Sequence, residues 1–326
     1  MILIGDGSET VMEAKEFQAL VEQMGDLTEV QRSALAAALA GKGSANEAIA
    51  LIEMRFSAAP ACGHCKSERF GPWGRASDLR RYKCKDCGRT FNALTGTPLA
   101  QLHRRDAWLD YARALVARVS LREAAERATV CLETSFRWRH RFLQAAKDKR
   151  PSVVTGIVEA DETFILKSAK GSRNLVGRAP RKRGGKAKKP GLSTDEHDAI
   201  LVVRDRHGAT TDHILPDLEG GTFKTYLAPV VAKDAVLVSD GRPAYAQFAE
   251  AAGICHVPLV TSAGEHVLGS YHIQNCNGYQ SRFKGWLAPF KGVASKYLAS
   301  YLGWRRAIER DGIRLTPRHM LAGALG

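Results

Sequence analysis

The chain has 326 residues, of which 44% are hydrophobic, and Lys and Arg outnumber Asp and Glu by 48 to 34. This length allows two or three domains, and no apolar run is long enough to span a membrane. The N-terminal residues lack the basic and apolar regions of a secretory signal, so we expect a cytoplasmic protein. The net charge of +14 favours a polyanionic partner, above all nucleic acid, over a basic protein without such a partner.

The first part of the chain has the periodicity of helices. Residues 9–40 predict two amphipathic helices that are interrupted at GDLT, where Asp26 or Thr28 would cap the second helix. Residues 45–56 predict a third, short helix. We therefore expect residues 1–56 to form an N-terminal helical segment.

Four of the seven cysteines are paired by their spacing. Cys62, Cys65, Cys84 and Cys87 follow the pattern C-x2-C-x18-C-x2-C. Two CxxC turns supply the four thiolates that tetrahedral Zn²⁺ requires, and a fully coordinated ion has a structural role. Two matched pairs favour zinc over a redox function, so residues 57–100 are predicted to be a zinc ribbon.

Residues 101–149 return to helical periodicity, and the stretch SLREAAERATVCLETSFRWRHRFLQAA predicts a helix, a short turn and a second helix. The second helix carries Arg137, Arg139 and Arg141. A recognition helix in the major groove would present such residues to DNA. The alternative is an antiparallel helix pair with a solvated basic face.

From residue 150 onward, short strands alternate with helices, which indicates an α/β domain. The strand GIVEADETFIL contains Glu159, Asp161 and Glu162, and the strand AVLVSD ends on Asp240. A carboxylate in a buried strand is unfavourable unless it is paired or binds a metal ion. Adjacent strands would therefore bring two carboxylates together to hold Mg²⁺, although each could alternatively form a structural salt bridge. Glu159 and Asp161 share one face by the period of two and Glu162 faces the other way, so spacing does not choose between Glu159 and Asp161.

The cysteine pattern, together with EADETFIL, LVSDGRPAY and YHIQNCNGYQSRFKGW, resembles bacterial insertion-sequence transposases of the zinc-ribbon group, over roughly residues 55–310. The resemblance implies a DDE-type catalytic domain with an RNase H-like fold, a mixed sheet flanked by helices. We assign this domain to residues 150–312 and expect residues 313–326 to be a tail. The implied activity is Mg²⁺-dependent cleavage and joining of DNA at terminal inverted repeats, with Mn²⁺ as an alternative ion.

The resemblance also implies which residues form the catalytic site. Asp161 matches the first catalytic carboxylate, Asp240 the second, and Asn277 the third position, where family members carry either Glu or Asn. These three residues would bind the Mg²⁺. Lys284, which lies nearly two helical turns after Asn277, would contact a DNA phosphate. Asn275 remains an alternative to Asn277 as the metal ligand.

A basic segment lies between the first two strands of the α/β domain. Residues 167–191 contain ten Lys or Arg residues and no acidic residue. We expect this segment to contact DNA phosphates, and the alternative is a solvated loop. The predicted contact residues are Arg181, Lys182, Arg183, Lys188 and Lys189.

The predicted function is that of a transposase that binds double-stranded DNA at the element ends and at the target. Two or more protomers are expected because two element ends must be paired, and the protein would work in the cytoplasm at the nucleoid. One alternative is an RNase H-like nuclease that cuts without joining. Another is a catalytically inactive, transposase-derived DNA-binding regulator, which the neutral Asn277 keeps open.

Overall fold

The computed structural model describes residues 13–175, 185, 194–260, 264 and 266–326. Within these residues no helix is both long enough and apolar enough to cross a bilayer.

The N-terminal region consists of α1 (Ala14–Gln23) and the long helix α2 (Glu29–Ala58), separated by a short 3-10 turn. Thr28 caps α2 in a capping box, since its hydroxyl accepts from the Gln31 N–H at 3.3 Å and Gln31 Oε1 accepts from the Thr28 N–H at 2.9 Å. The break at GDLT is therefore confirmed. The separate third helix was wrong, because residues 45–56 are the second half of α2. The intervening GKGS contains no proline, and its glycines weaken a helix without ending it.

A small antiparallel sheet follows α2. Its strands are β1 (Phe70–Ala76), β2 (Leu79–Cys84) and β3 (Thr90–Asn92). One aromatic side chain from α2, Phe56, packs against Phe70, Tyr82 and Phe91 with ring centroids 4.9–6.0 Å apart. These rings fix the sheet to the end of the helix.

Three helices form the next region: α3 (Trp108–Val116), α4 (Leu121–Arg127) and α5 (Leu132–Phe142). The Ser120 hydroxyl caps α4 by accepting from the Glu123 N–H at 3.2 Å. Thr129, with φ of 50°, makes the turn between α4 and α5. On the other side, Tyr111 of α3 packs edge-on against Trp138 of α5, with ring centroids 5.3 Å apart. The predicted helix, turn and helix therefore rest on a third helix.

The second half of the chain is a mixed α/β fold, as predicted. It has five strands: β4 (Ile157–Leu166), β5 (His197–Asp205), β6 (Thr210–Leu215), β7 (Val236–Ser239) and β8 (Cys255–Pro258). Their order is β6-β5-β4-β7-β8. The pairs among β4, β5 and β6 are antiparallel, whereas β7 is parallel to both β4 and β8.

Helices cover both faces of this sheet, and the alternation of β4 decides which side chains each face receives. Val158 and Ala160 pack with α6 (Gly220–Leu227) and α7 (Pro243–Ala252). The opposite face packs against α8 (Gln274–Leu287) and α9 (Ser295–Asp311). The period-two assignment of β4 is therefore confirmed.

One hydrophobic core crosses the predicted domain boundaries at residues 56, 100 and 149. It joins the end of α2, the small sheet, helices α3 to α5 and the fully buried Trp304 of α9. The predicted tail was wrong, because residues 317–325 form another helix, α10 (Pro317–Leu325). Leu321 and Leu325 of α10 are buried in the same core, and this burial stabilises the helix.

A buried polar network connects the two halves. Asp212 of β6 is fully buried and accepts from the Arg306 guanidinium of α9 and from the Tyr279 hydroxyl of α8, the latter at 2.9 Å. Arg306 also donates to the carbonyl of Lys147 in the connecting segment, at 2.8 Å. Gly303 lets α9 approach that segment, because a Cβ at this position would clash with the Ala146 carbonyl oxygen.

Candidate functional site

The four predicted zinc ligands meet in one cluster. The Sγ atoms of Cys62 and Cys87 are 3.8 Å apart and those of Cys65 and Cys84 are 3.6 Å apart. All four thiols lie within 4.8 Å of one another. Sulfur atoms about 2.3 Å from a tetrahedral zinc ion are roughly 3.8 Å from each other, so the donor set fits Zn²⁺.

Exposed basic side chains are close to this cluster in the sequence, and one of them covers an exposed tryptophan. Trp73 of β1 is 53% exposed, and Lys83 Nζ lies 4.5 Å from the centroid of its ring. Arg80, Lys85 and Arg89 are exposed nearby in the sequence. The small sheet thus presents a positively charged surface with an aromatic side chain in it.

The two predicted catalytic aspartates lie side by side. The parallel pairing of β4 with β7 aligns Ala160 with Ser239, so the residues that follow, Asp161 and Asp240, are neighbours at the end of the shorter strand. Together with Glu162, each offers one carboxylate oxygen within 4.8 Å of the others. We refer to Asp161, Glu162 and Asp240 as the carboxylate cluster.

Glu162 joins this cluster although it faces the opposite side of the sheet from Asp161. It pairs with Arg242 Nε at 3.0 Å, on the side of α7. Because β7 ends at Ser239 while β4 continues to Leu166, the edge of β4 is open at this point. Side chains from both faces of β4 therefore converge beside Asp240.

Burial and mutual repulsion act on these carboxylates. Burial raises the pKa of Asp161 to about 6; the hydrogen bond from Gln280 opposes this effect and the charge of Asp240 adds to it. Burial also raises the pKa of Glu162 to about 7, against the opposing effects of Tyr245 and Arg242. A divalent cation would relieve the repulsion among the three carboxylates.

Glu159, the other candidate from the same strand, has a different role. It is fully buried and accepts hydrogen bonds from Asn275 Nδ2 at 2.7 Å and from the Cys276 N–H at 2.9 Å, and Arg206 Nη1 lies 3.0 Å from it. It therefore anchors the first turn of α8 and is neutralised by its partners. Asn275, the alternative third ligand, is held by this same carboxylate.

Asn277 lies exposed on α8, and Gln280, one turn further on, donates from Nε2 to Asp161 Oδ2 at 3.0 Å. Residues three apart share a side of a helix, so Asn277 lies on the side of α8 that approaches Asp161. Lys284 is exposed two turns along. It lines a shallow cavity of about 340 Å³ near the end of β4, together with Ser168 and Asp198.

The three arginines predicted to contact DNA from α5 have different environments. Arg137 is exposed and pairs with Glu133 at 2.8 Å. Arg141 donates to the carbonyls of Pro98 and Ala100, the latter at 2.8 Å, and so holds the preceding segment. Arg139 is fully buried, and its guanidinium lies 5.0 Å from the Trp304 ring centroid and donates to the Val119 carbonyl.

The structure therefore corrects the assignment of Arg139 to the DNA surface, because its side chain is part of the core. The predicted contact residues of the basic segment lie outside the described residues: Arg181, Lys182, Arg183, Lys188 and Lys189.

Sequence reasoning missed two contributors to the carboxylate cluster. Gln280 follows Asn277 by three residues, and this helical spacing was the available signal. Arg242 follows Asp240 by two residues, and its backbone N–H donates to Asp240 Oδ1 at 3.1 Å while its side chain pairs with Glu162. Nothing in the sequence pattern indicated that Glu162 would reach the same point.

Residues 153–305 match the ISXO2-like transposase domain. The chain is 28% identical over 256 residues to an uncharacterized protein in transposable element ISH50 of Halobacterium salinarum, and the match covers 77% of this chain and 86% of that protein.

Two solved structures are similar over part of their length. One is a chain of the simian T-cell lymphotropic virus intasome in complex with PP2A regulatory subunit B56 gamma, at 11% identity and a TM-score of 0.28. That match covers 60% of this chain and 66% of the other, just under two thirds.

The second solved structure is a chain of the pre-cleavage Mos1 transpososome, at 14% identity and a TM-score of 0.24, with 66% of this chain and 78% of the other covered. The family match at residues 153–305 and the ISH50 relative support an insertion-sequence transposase.

Proposed function

We propose that this protein catalyses metal-dependent cleavage and strand transfer of DNA at the terminal inverted repeats of an insertion sequence. The observation that carries the proposal is the carboxylate cluster, in which three acidic side chains from β4 and the end of β7 converge at an open sheet edge. The five-stranded sheet contains three antiparallel strands, β6, β5 and β4, followed by β7 and β8, which run parallel to β4. This strand order supports the RNase H-like class implied by the resemblance.

Asp161 and Asp240 of the carboxylate cluster would hold Mg²⁺ together with Asn277 of α8, with Mn²⁺ as a substitute. The raised pKa of Asp161 and the crowding of three carboxylates support a cation here. Glu162 would supply the acidic group that the neutral Asn277 lacks. When bound, the metal ions would activate a water or a 3′-hydroxyl and stabilise the leaving oxygen.

The chain's own residues would orient these groups. Gln280 fixes one oxygen of Asp161, and Arg242 holds Glu162 and the turn that carries Asp240. Lys284, further along α8, would bind a phosphate of the DNA strand as a point charge. No Ser or Tyr nucleophile is needed for direct attack by water and then by a 3′-hydroxyl.

We further propose that residues 57–149 bind the element ends and residues 150–312 carry out the chemistry. The cysteine cluster supports a structural zinc ion, and the exposed Arg137 and the basic surface of the small sheet support phosphate contact. The predicted contacts of the basic segment, from Arg181 to Lys189, belong to the same proposal. Two or more copies would act together, since two ends must be paired, in the cytoplasm at the nucleoid.

A strand-transfer assay on labelled element ends with Mg²⁺ or Mn²⁺ tests this function. We expect joined products from the wild type and a loss of at least about 1,000-fold in Asp161→Asn and Asp240→Asn, because each removes a charged ligand. Asn277→Ala should also lose joining, with little change in stability because the residue is exposed. Asp234→Asn, at an exposed aspartate in the turn before β7, is the matched control.

Two outcomes would replace the proposal with its alternatives. Cleavage without joining would indicate a nuclease. Specific binding of the ends with neither reaction would indicate a DNA-binding regulator.

A further inference from the structure

A groove with an aromatic lining separates α5 from the chain segment 289–301. Its volume is about 700 Å³, which is within the range of cavities that enclose small molecules. Five aromatic ring side chains line it: Phe136, His140, Phe290, Tyr297 and Tyr301. None of them belongs to the carboxylate cluster, and the proposed chemistry gives the groove no role.

The rings are arranged as a stacking surface. His140 lies parallel to Tyr297, with centroids 3.5 Å apart and an interplanar angle of 15°. Phe136 stands edge-on to both rings and is 42% exposed, and Leu132 beside it is 45% exposed. Burial lowers the pKa of His140 to about 4, so this ring is neutral at physiological pH. Two large exposed apolar side chains at one end of an aromatic groove indicate a site for a flat apolar group.

The rim of the groove is positively charged. Arg122, Lys170, Lys291 and Lys296 line it, and the described lining residues include no acidic side chain. Lys170, four residues after the end of β4, donates to the carbonyls of Lys291 and Gly292 at 3.2 and 2.9 Å, which holds its charge at the rim. Such a rim is complementary to an anion.

Aromatic side chains combined with a positive groove are the features that bind single-stranded nucleic acid. Bases in a duplex are covered on both faces by their neighbours, so only an unpaired base offers a free ring face to the exposed Phe136. We propose that this groove binds unpaired nucleotides of a single DNA strand, with a base stacked on Phe136 and phosphates against Lys291 and Lys296. An acidic peptide with aromatic residues is less favoured, since the described groove offers a stacking surface rather than a sheet edge.

This proposal rests on the proposed function in one respect only, which is that the ligand is DNA. Its test measures binding by the zinc-loaded protein without added Mg²⁺ and without catalysis, so either proposal can fail without the other. Fluorescence anisotropy with a labelled oligothymidine, and in parallel with a duplex of element-end sequence, gives the two affinities for the full chain.

We expect Phe136→Ala to weaken oligothymidine binding about tenfold, because the stacking partner is lost, and to weaken duplex binding by a much smaller factor. Phe136→Leu keeps the volume and should show the same loss, which separates stacking from folding. Lys291→Gln combined with Lys296→Gln should reduce the salt dependence of oligothymidine binding. Met54→Ala, at an exposed apolar residue of α2 that does not line the groove, should bind as the wild type does.

Photocrosslinking of a halogenated uracil in the oligonucleotide should label Phe136 or Tyr297. Unchanged oligothymidine binding in both Phe136 variants, or crosslinks that map elsewhere, would overturn the proposal. Displacement of the oligonucleotide by an acidic, aromatic peptide that binds more tightly would assign the groove to a protein partner instead.

Discussion

The cysteine cluster and the carboxylate cluster are both candidate metal centres, and they are built in opposite ways. The cysteines come from two short turns within 26 residues of sequence, and they complete a tetrahedron with protein atoms alone. The carboxylates come from strands that are about 80 residues apart, and they crowd negative charge at an open edge of a sheet. A closed set of ligands stabilises a fold, whereas an open, repulsive set leaves room for a substrate.

Removal of zinc should give the largest effect on stability. Structural Zn²⁺ contributes about 10 kcal/mol or more to small zinc domains, and here the cysteine cluster adjoins the shared core through Cys62 and Cys84. We expect Cys62→Ser to lose the bound zinc and to lower the Tm by on the order of 10 °C or more.

Zinc content by mass spectrometry and thermal unfolding measure this effect. Cys255→Ser, at an exposed cysteine on β8, should keep both the zinc and the Tm. If Cys62→Ser is as stable as the wild type, the cysteine cluster does not have the stabilising role that distinguishes it from the carboxylate cluster.

Glu159 and Glu162 give a matched pair within one strand. Glu159→Gln removes the charge that neutralises Arg206, so we expect a loss of about 3 kcal/mol in unfolding free energy. Glu162→Gln should leave stability unchanged or raise it, because the cluster loses one repulsive charge, while Mn²⁺ affinity should fall about tenfold. Denaturant unfolding and Mn²⁺ titration of the zinc-loaded protein measure the two quantities. Equal Mn²⁺ affinities in the wild type and Glu162→Gln would restrict the metal site to the other ligands.

The pH dependence of stability should show the smallest effect. The pKa of Asp161 is about 6 and that of Glu162 about 7, against ordinary values of 3.8 and 4.5. The folded protein therefore holds more protons than the unfolded chain over this interval. The contribution of these groups to stability is fully present below the ordinary values and is lost as the pH rises to about 7.

Without added Mg²⁺, we thus expect the Tm of the wild type to fall between pH 4 and 7 more than that of Asp161→Asn combined with Glu162→Gln. Thermal unfolding across this pH range gives the difference. Added Mg²⁺ should reduce it for the wild type, and identical slopes for the two proteins would show that the cluster carries no excess repulsion.

The cysteine cluster and the anchoring of α2 at Thr28 were predictable because spacing and capping are local properties of the sequence. The proximity of Asp161 and Asp240 came from the family resemblance and from strand ends. The convergence of Glu162 required the length difference between β4 and β7, which periodicity does not contain.

The burial of Arg139 and the fold of α10 depend on contacts from distant parts of the chain. Arg139 looks like a surface residue in an arginine-rich helix, but Trp304, which lies far away in the sequence, covers it. Residues 313–326 lack a long periodic run, and their helix is stabilised by burial of Leu321 against the shared core. Local patterns could not identify either partner.

Helix α9 links the region of the cysteine cluster to the region of the carboxylate cluster. Its residues Leu298 and Leu302 pack on the sheet that carries the carboxylates, while Trp304 packs in the core that holds the cysteine cluster. Arg306 and Gly303 fasten the same helix to the connecting segment. Under the proposed function, a rigid spacer would set the separation between the cysteine cluster and the carboxylate cluster, so the distance between the bound DNA sequence and the bond that is cut would be fixed.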